Sequence, residues 1–297
     1  MERAPAWGEV ARELAGVGGP RLDVATARPV GGGCIHSAWR LDSDEGPCFL
    51  KLNSASAYPL FEAEVHGLEK LAAANAVRVP RILGFGATAG TAFLALEWIE
   101  LARRSPDADR RLGAALADQH RVTHEAFGLE SDNRIGSTVQ PNGWCSDWVG
   151  FFRDRRLRFQ LELAAGNGFG AELTDRGERL LGRVDAWFEG HTPPPALLHG
   201  DLWAGNAAAD SSGRPVIFDP AVYFGDREAD LAMTRLFGGF SEAFYVAYAR
   251  AWPLPGGHEQ RIDLYNLYHI LNHVNLFGAG YLGQAQGLLD CLLQADA

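Results

Sequence analysis

Apolar and polar positions alternate in short runs along the first hundred residues, a pattern typical of strands. The runs occupy residues 26–33, 35–41, 47–52, 81–86 and 92–99. Between the third and the fourth run, apolar residues recur at helical spacing over 59–74, and Pro59 suits the first turn of a helix. The first part of the chain is therefore predicted to form five strands with one helix between them.

After Glu100 the pattern becomes helical. Ser105 suits a helix cap and Pro106 the first helical position, so a helix is predicted from there to about His124. Further helices are predicted over 144–165, 175–188, 240–252, 258–277 and 281–293, and one clear strand over 216–219. The change of pattern predicts an α+β protein of two lobes: a small β-rich lobe over 1–99 and a larger, mainly helical lobe over 100–297.

Composition and charge exclude several classes of protein. The 297 residues are 47% hydrophobic and 22% charged, and no window approaches the roughly 18 apolar residues of a membrane span. The first residues lack an apolar targeting segment, and the four cysteines form no C-x-x-C pair, so we expect free thiols in a reducing cytoplasm. The net charge of −10 argues against nucleic-acid binding and is compatible with a cationic substrate.

A group of polar residues around two apolar runs carries the candidate chemistry. Asp201 and Asn206 lie five residues apart on one loop, and Asp219 ends the apolar run that follows. Phosphoryl transfer from ATP requires a carboxylate that accepts the proton of the acceptor hydroxyl, and an amide and a carboxylate that hold Mg²⁺. Each residue alone would more often belong to a turn, but their spacing favours a kinase with Asp201 as base and Asn206 and Asp219 as Mg²⁺ ligands.

A lysine in the first lobe fits the same chemistry. Lys51 ends an apolar strand, where kinases place the lysine that contacts the ATP phosphates. Its expected partner is an acid on the next helix, and we predict Glu64, with Glu62 on a neighbouring face as the alternative.

Two further segments are predicted to bind ATP from their places along the chain. A glycine triplet between the first two strands would let the backbone approach phosphate groups closely. The triplet consists of Gly31, Gly32 and Gly33. The segment that follows the last strand takes the place of an adenine-binding hinge, and it consists of Glu97, Trp98 and Ile99.

Several of these motifs together resemble a known family. The loop His199-Gly200-Asp201-Leu202-x-x-Gly205-Asn206 is similar to that of the aminoglycoside phosphotransferase and choline kinase superfamily, whose fold is protein-kinase-like. The added Trp203 resembles the fructosamine kinase (ketosamine-3-kinase) family in particular. Other motifs similar to that family are 31–36, 135–142, 218–233 and 271–278, so the resemblance covers most of the chain.

The resemblance implies ATP-dependent phosphorylation of the 3-hydroxyl of a ketosamine, either a small molecule or linked to protein. A phosphate at C3 lies beta to the C2 carbonyl and is a good leaving group, so the product would release its amine, which is deglycation. The resemblance gives Asp201, Asn206, Asp219, Lys51 and Glu64 the roles already predicted. It leaves the oligomeric state open.

Three other functions are considered. Another small-molecule kinase of the same fold, acting on aminoglycosides or choline, is the nearest alternative. A regulatory pseudokinase would be expected to lack one of Lys51, Asp201, Asn206 and Asp219, and all four are present. A metal hydrolase built on His199 and Asp201 lacks a second group of ligands. Two histidine pairs at i,i+4 spacing lack the glutamate of a zinc motif and are expected to pack: His120 with His124, and His269 with His273.

Four residues receive more specific predictions. Trp203 is a candidate substrate residue because it carries the resemblance to the ketosamine-3-kinase family. Asp226 and Glu228 are candidate substrate residues because an acidic rim could orient a cationic ketosamine nitrogen. The alternative for the acids, including Asp230, is a junction between loop and helix held by internal ion pairs. Some members of the family have a redox-sensitive cysteine in the glycine loop, where Cys34 lies; the alternative is that Cys34 is a small filler residue.

Overall fold

The computed structural model describes residues 5–31 and 36–295. An antiparallel sheet of five strands forms the first lobe, in the order β1-β2-β3-β5-β4. Its strands are β1 (Leu22–Val30), β2 (Ser37–Ser43), β3 (Cys48–Ser54), β4 (Ile82–Ala87) and β5 (Thr91–Glu97), and its helices are α1 (Trp7–Gly16) and α2 (Tyr58–Ala74). The five strands and α2 were predicted, whereas α1 was not.

The side chains of β3 alternate between the two faces of the sheet, and each face has its own hydrophobic core. Leu50 and Leu52 are buried on one face with Val10 and Leu14 of α1. Since side chains alternate along a strand, Lys51 lies on the opposite face, where α2 packs. The strand therefore presents one buried lysine to α2.

The second lobe is mainly helical. Its helices are α3 (Pro106–His120), α4 (Trp148–Phe152), α5 (Phe159–Ala164), α6 (Gly170–Leu181), α7 (Glu228–Leu236), α8 (Glu242–Ala251), α9 (His258–Phe277) and α10 (Leu282–Gln294). Ser105 caps α3, because its side chain accepts a hydrogen bond from the Ala108 amide. A π-helical segment, Arg153–Arg158, joins α4 to α5.

Short strands in the second lobe lead into and out of the polar loops. They are β6 (Leu101–Ala102), β7 (Asn133–Ile135), β8 (Thr138–Gln140), β9 (Ala196–Leu198), β10 (Ala207–Asp210), β11 (Pro215–Ile217) and β12 (Tyr223–Gly225). β10 pairs with β11 and with β6, and β12 pairs with β9. The loop that carries Asp201 and Asn206 follows β9, and Asp219 lies between β11 and β12.

Several predicted helix ends differ from the structure. The helix predicted to reach His124 ends at His120, and the helix predicted from residue 144 begins at Trp148. The helix predicted over 175–188 is α6, followed by a separate 3₁₀ turn over Val184–Phe188. Within the described ranges, 5–31 and 36–295, we find no helix with the length and apolar character that a bilayer crossing requires.

Candidate active site

The loop that carries Asp201 is held by a buried carboxylate of α7. Asp230 accepts hydrogen bonds from the backbone amides of His199 (2.7 Å) and Gly200 (2.9 Å). The His199 ring donates from Nε2 to the Phe218 carbonyl (3.0 Å) and accepts at Nδ1 from the Asp201 amide (3.3 Å). The backbone amides of Asp201 and of the two residues before it are therefore fixed by side chains.

A glycine is required at the turn of this loop. Gly200 has φ of +83°, a conformation that residues with a side chain rarely adopt. A Cβ atom there would lie 2.0 Å from the carbonyl oxygen of Ala221, which is too close for two non-bonded atoms. The loop therefore packs directly against the backbone that follows Asp219.

Asn206 connects the two carboxylate segments. Its Nδ2 donates to the Asp201 carbonyl (2.8 Å), to Asp201 Oδ2 (3.1 Å) and to the Asp219 carbonyl (3.4 Å). Because the nitrogen is turned toward the two aspartates, the oxygen Oδ1 is the atom of Asn206 that is suited to bind a cation.

Asp219 meets the lysine of the first lobe. Lys51 Nζ lies 2.5 Å from Asp219 Oδ1 and 2.7 Å from Glu64 Oε1. Burial alone would lower the pKa of Lys51, but the two carboxylates outweigh it and hold the pKa above its usual range, so the ammonium stays charged. Glu62, the alternative partner, is exposed. Asp219 itself has φ of +57°, an unusual conformation for a residue with a side chain.

The surroundings of Asp201 raise the pKa of its carboxyl group toward neutral pH. Burial raises its pKa to about 7, with the negative charge of Asp219 as a further cause, while the hydrogen bond from Asn206 acts in the opposite direction. A general base works best when its pKa lies near the working pH.

A histidine of the first lobe lies beside the Lys51 group. Burial and the charge of Lys51 lower the pKa of His36 to about 4, so its ring is neutral at pH 7. The ring contacts Phe61 and is hydrogen-bonded to Asn53 at 2.9 Å. Of the predicted glycine loop, Gly31 follows β1, whereas Gly32, Gly33 and Cys34 lie outside the described residues.

Two backbone amides of the segment at the end of β5 donate hydrogen bonds to other parts of the chain. The Glu97 amide donates to the Arg81 carbonyl (2.9 Å) and the Trp98 amide to the Pro47 carbonyl (3.2 Å). In the described part of the chain, the amide of Ile99 has no such partner. Of the three predicted hinge residues, Ile99 is thus the one whose backbone donor is available.

The carboxylates of Asp226 and Glu228 accept hydrogen bonds from other residues inside the second lobe. Asp226 accepts hydrogen bonds from Tyr265 and His191, both at 2.6 Å, and Glu228 forms a bidentate pair with Arg261 at 2.8 and 3.0 Å. Both carboxylates are buried. This is the arrangement of the internal-junction alternative, and neither acid forms an exposed rim.

Trp203 belongs to an exposed group of rings that we call the aromatic surface. Its indole lies over Gly205, where a Cβ atom would be 2.3 Å from the ring, and 41% of the residue is exposed. The rings follow one another at centroid distances of 4.9 to 6.2 Å. The members are Trp203, Phe237, His273, Phe277 and Tyr281. His273 was expected only to pack, because nothing in the sequence pattern brings α9 to the loop of Trp203.

A buried polar network supports the segment after Asp219. Asn133 donates to the Val222 carbonyl (2.7 Å), and Gln140 donates to the Ala221 carbonyl (3.0 Å) and to Asn133 (2.7 Å). The sequence pattern could not assign these residues, although they lie in the 135–142 motif or just before it. They fix the backbone against which the Asp201 loop packs.

Arg104 is a second supporting residue that the sequence did not reveal. It pairs with Asp109 at 2.7 Å and donates to the carbonyls of Ala204, Ala207 and Gly239. Arg104 therefore holds the turn that contains Asn206 to the start of α3.

Comparisons with known proteins place this chain among described relatives. The family model described as fructosamine kinase matches residues 6–295. A probable ketoamine kinase of Synechocystis sp. is 46% identical over 96% of this chain and 97% of its own length. A chloroplastic protein-ribulosamine 3-kinase of Oryza sativa subsp. indica is 40% identical over 93% of this chain and 81% of its own. The crystal structure of a putative fructosamine-3-kinase from Haemophilus somnus superposes with a TM-score of 0.89, at 28% identity, over 97% of this chain and 98% of that one.

Proposed function

The chain belongs to the fructosamine kinase family, and we propose from this premise that it transfers the γ-phosphoryl group of ATP to the 3-hydroxyl of a ketosamine. The observation that carries the proposal is the meeting of two groups. Lys51 and Glu64 come from the first lobe, and Asp201, Asn206 and Asp219 come from the second. Phosphoryl transfer relies on such positioned charges more than on covalent chemistry.

In this proposal Asp201 accepts the proton of the 3-hydroxyl. The hydroxyl oxygen forms a bond to the γ-phosphorus, the bond from that phosphorus to the bridging oxygen of ADP breaks, and ADP leaves with the electron pair. Asn206 orients the Asp201 carboxylate, and Lys51 would hold phosphate oxygens while Glu64 keeps its ammonium in place.

The donor set fits a magnesium ion. Asn206 offers an amide oxygen and Asp219 a carboxylate, and hard cations prefer such oxygen ligands. We propose that these two residues hold Mg²⁺, which when bound neutralises charge on the ATP phosphates. Lys51, already beside Asp219, would supply a second positive charge to the same phosphates.

The lobes divide the two substrates between them. We propose that residues 1–99 bind ATP, with Gly31 to Gly33 at the phosphates and the amide of Ile99 as a donor to adenine. Residues 100–297 would supply the catalytic loop and the ketosamine site.

We propose that the ketosamine binds to the aromatic surface and that Trp203 is its main contact. A ketosamine nitrogen is usually cationic, and a cation over an indole face gains about 0.5–2 kcal/mol. Asp226 and Glu228 are buried and already bonded, so we assign them a positioning role: they hold the start of α7 to α9.

A substrate panel tests the proposal. ATP consumption would be measured with fructosyl-lysine, ribulosyl-lysine, choline and an aminoglycoside. We expect turnover with one or both ketosamines, followed by release of inorganic phosphate and lysine. Turnover confined to choline or the aminoglycoside would replace the ketosamine assignment with the alternative kinase, and turnover with none of the four would remove it.

A further inference from the structure

Three arginine side chains line a pocket of about 370 Å³ that contains none of the proposed catalytic residues. The pocket is formed by the carboxyl end of α2 and the loop after it, by α3, and by the β10–β11 hairpin. Its arginines are Arg78, Arg111 and Arg214, and no carboxylate is found among its described lining residues. In a chain with 37 acidic and 27 basic residues, this lining is opposite in sign to the molecule as a whole.

The three arginines differ in how far nearby carboxylates balance their positive charge. Arg78 is held by Asp210 at 2.6 Å and by Glu97 at 3.4 Å. Arg111 donates from Nη2 to the Gly213 carbonyl, which accepts the bond without cancelling the charge. The Arg214 side chain is exposed and has no hydrogen bond or ion pair within the described ranges.

The unbalanced charge favours an anion. The carboxyl end of α2 adds about half a negative charge at most, which the guanidinium groups of Arg111 and Arg214 outweigh. Arginine presents paired N–H donors that match the oxygens of a phosphate, and such charge-assisted bonds are stronger than neutral ones. Asn75, at the end of α2, adds an amide to the same wall.

We propose that this pocket is a second anion site, distinct from the ATP cleft, that binds a single phosphate group. The group would be inorganic phosphate or the phosphate of a small phosphorylated metabolite. Arg111 and Arg214 supply the bonds to the phosphate oxygens, whereas the charge of Arg78 is balanced by Asp210 and Glu97.

The position of the site connects it to the catalytic hairpin. Asn206 directly precedes β10, and Asp219 lies two residues after β11. The Ile217 amide donates to the Arg78 carbonyl at 3.0 Å, and Arg111 contacts the hairpin tip. A phosphate shared by Arg111 and Arg214 would join α3 to this hairpin, so binding should raise the melting temperature of the protein.

Calorimetric titration of the full chain tests the site. The ATP cleft is first saturated with magnesium and a non-hydrolysable ATP analogue, and inorganic phosphate and fructose 6-phosphate are then titrated separately at constant ionic strength. We expect one saturable site for at least one of these probes, and the tighter of the two identifies the source of the phosphate group. We also expect a rise in melting temperature with that probe.

Two charge-neutral variants and one control locate the binding. Arg111→Gln and Arg214→Gln should each weaken binding at least tenfold, whereas Arg179→Gln, an exposed arginine on α6, should bind as the parent does. Among residues 5–31 and 36–295, the Arg214 side chain has no partner that its replacement would remove, so that variant remains interpretable if Arg111→Gln is unstable. Non-saturable binding in the parent, or equal affinity in the parent and Arg214→Gln, would overturn the proposal. Kinase activity is measured separately, so neither result depends on the ketosamine assignment.

Discussion

At the scale of single residues, the site combines one acid near its titration point with one lysine that is kept charged. The pKa of Asp201 is about 7, whereas the pKa of Lys51 lies above its usual range. Both pKa values are raised, but for different reasons: Asp201 is buried beside another acid, and Lys51 lies between two acids. Perturbed pKa values of this kind are common among catalytic groups.

The first prediction concerns the base. Asp201→Asn should keep the affinity for MgATP and lose about 10²- to 10⁴-fold in kcat, because an amide of the same shape cannot accept the hydroxyl proton. Steady-state kinetics and calorimetric titration with MgATP measure the two quantities. Full turnover in this variant would show that Asp201 is not the base.

The second prediction separates Glu64 from its neighbour on α2. Glu64→Gln should lower kcat/KM for ATP by about 10- to 100-fold, because Lys51 loses a hydrogen bond to a charged partner, worth ~1.5–3 kcal/mol. The matched control is Glu62→Gln, since Glu62 is exposed two residues earlier on the same helix. Equal losses in the two variants would remove the proposed role of Glu64.

At the scale of elements, the start of α7 fixes the catalytic loop. Asp230 joins the amides of His199 and Gly200 to the ring of His120 on α3 (3.1 Å), and His120 in turn contacts Tyr248 on α8 (2.8 Å). All of these groups are buried or backbone atoms. The loop is therefore positioned by helix packing in the second lobe.

The third prediction tests this anchor. Asp230→Asn should lower the free energy of unfolding by about 3 kcal/mol at pH 7, because one partner of a buried charged network is removed. The control is Asp154→Asn, whose pairs with Arg153 and Arg158 are at the surface and worth at most ~1 kcal/mol. Urea denaturation measures both. A loss no larger than that of the control would contradict the anchoring role.

The difference in the free energy of unfolding between the parent and Asp230→Asn should depend on pH. Burial would raise the pKa of Asp230, but the hydrogen bond and charge of His120 outweigh it and hold the pKa below its usual value. In an unfolded chain, the pKa of an aspartate is about 3.9. The stabilisation is therefore complete above that pH and is lost as the pH falls further, so the difference between the parent and Asp230→Asn should narrow from pH 7 to pH 3.

In the second lobe, the longest helix could be predicted from the sequence pattern, whereas two of the three-residue strands could not. The pattern over 258–277 gave the bounds of α9, because twenty residues contain many turns of the same period. β9 and β12 have three residues each and depend on pairing between Leu198 and Tyr223, which are distant along the chain.

The same distinction holds for the site. Lys51 and Glu64 are thirteen residues apart on adjacent elements, and their contact could be predicted. The burial of Asp226 depends on His191 and Tyr265, at separations of 35 and 39 residues. Such contacts are set by tertiary packing, so the choice between an acidic rim and an internal junction required the structure.

At the scale of the whole molecule, the sites that we propose for the two substrates lie on different lobes. Lys51 and Glu64 lie on the sheet lobe. The aromatic surface lies on the residue after α7, on the end of α9 and the turn that follows it, and on the loop of Trp203. The β10–β11 hairpin connects them, because Asn206 and Asp219 flank it and Lys51 contacts Asp219. Because the aromatic surface contains none of the residues proposed to bind ATP, a change there should affect KM for the ketosamine and leave KM for ATP unchanged.

Trp203→Ala tests this division. We expect KM for a cationic ketosamine to rise by about 5- to 30-fold, the range that a partly desolvated cation–π contact would give, with KM for ATP unchanged. The matched control is Trp144→Ala, because Trp144 is equally exposed (42%, against 41% for Trp203) but stacks on His124 outside the aromatic surface. Steady-state kinetics with each substrate varied in turn separates the two constants. If Trp203→Ala raised KM for ATP as much as KM for the ketosamine, the indole would act through the shared hairpin; if it behaved as Trp144→Ala does, the ketosamine would bind elsewhere on the second lobe.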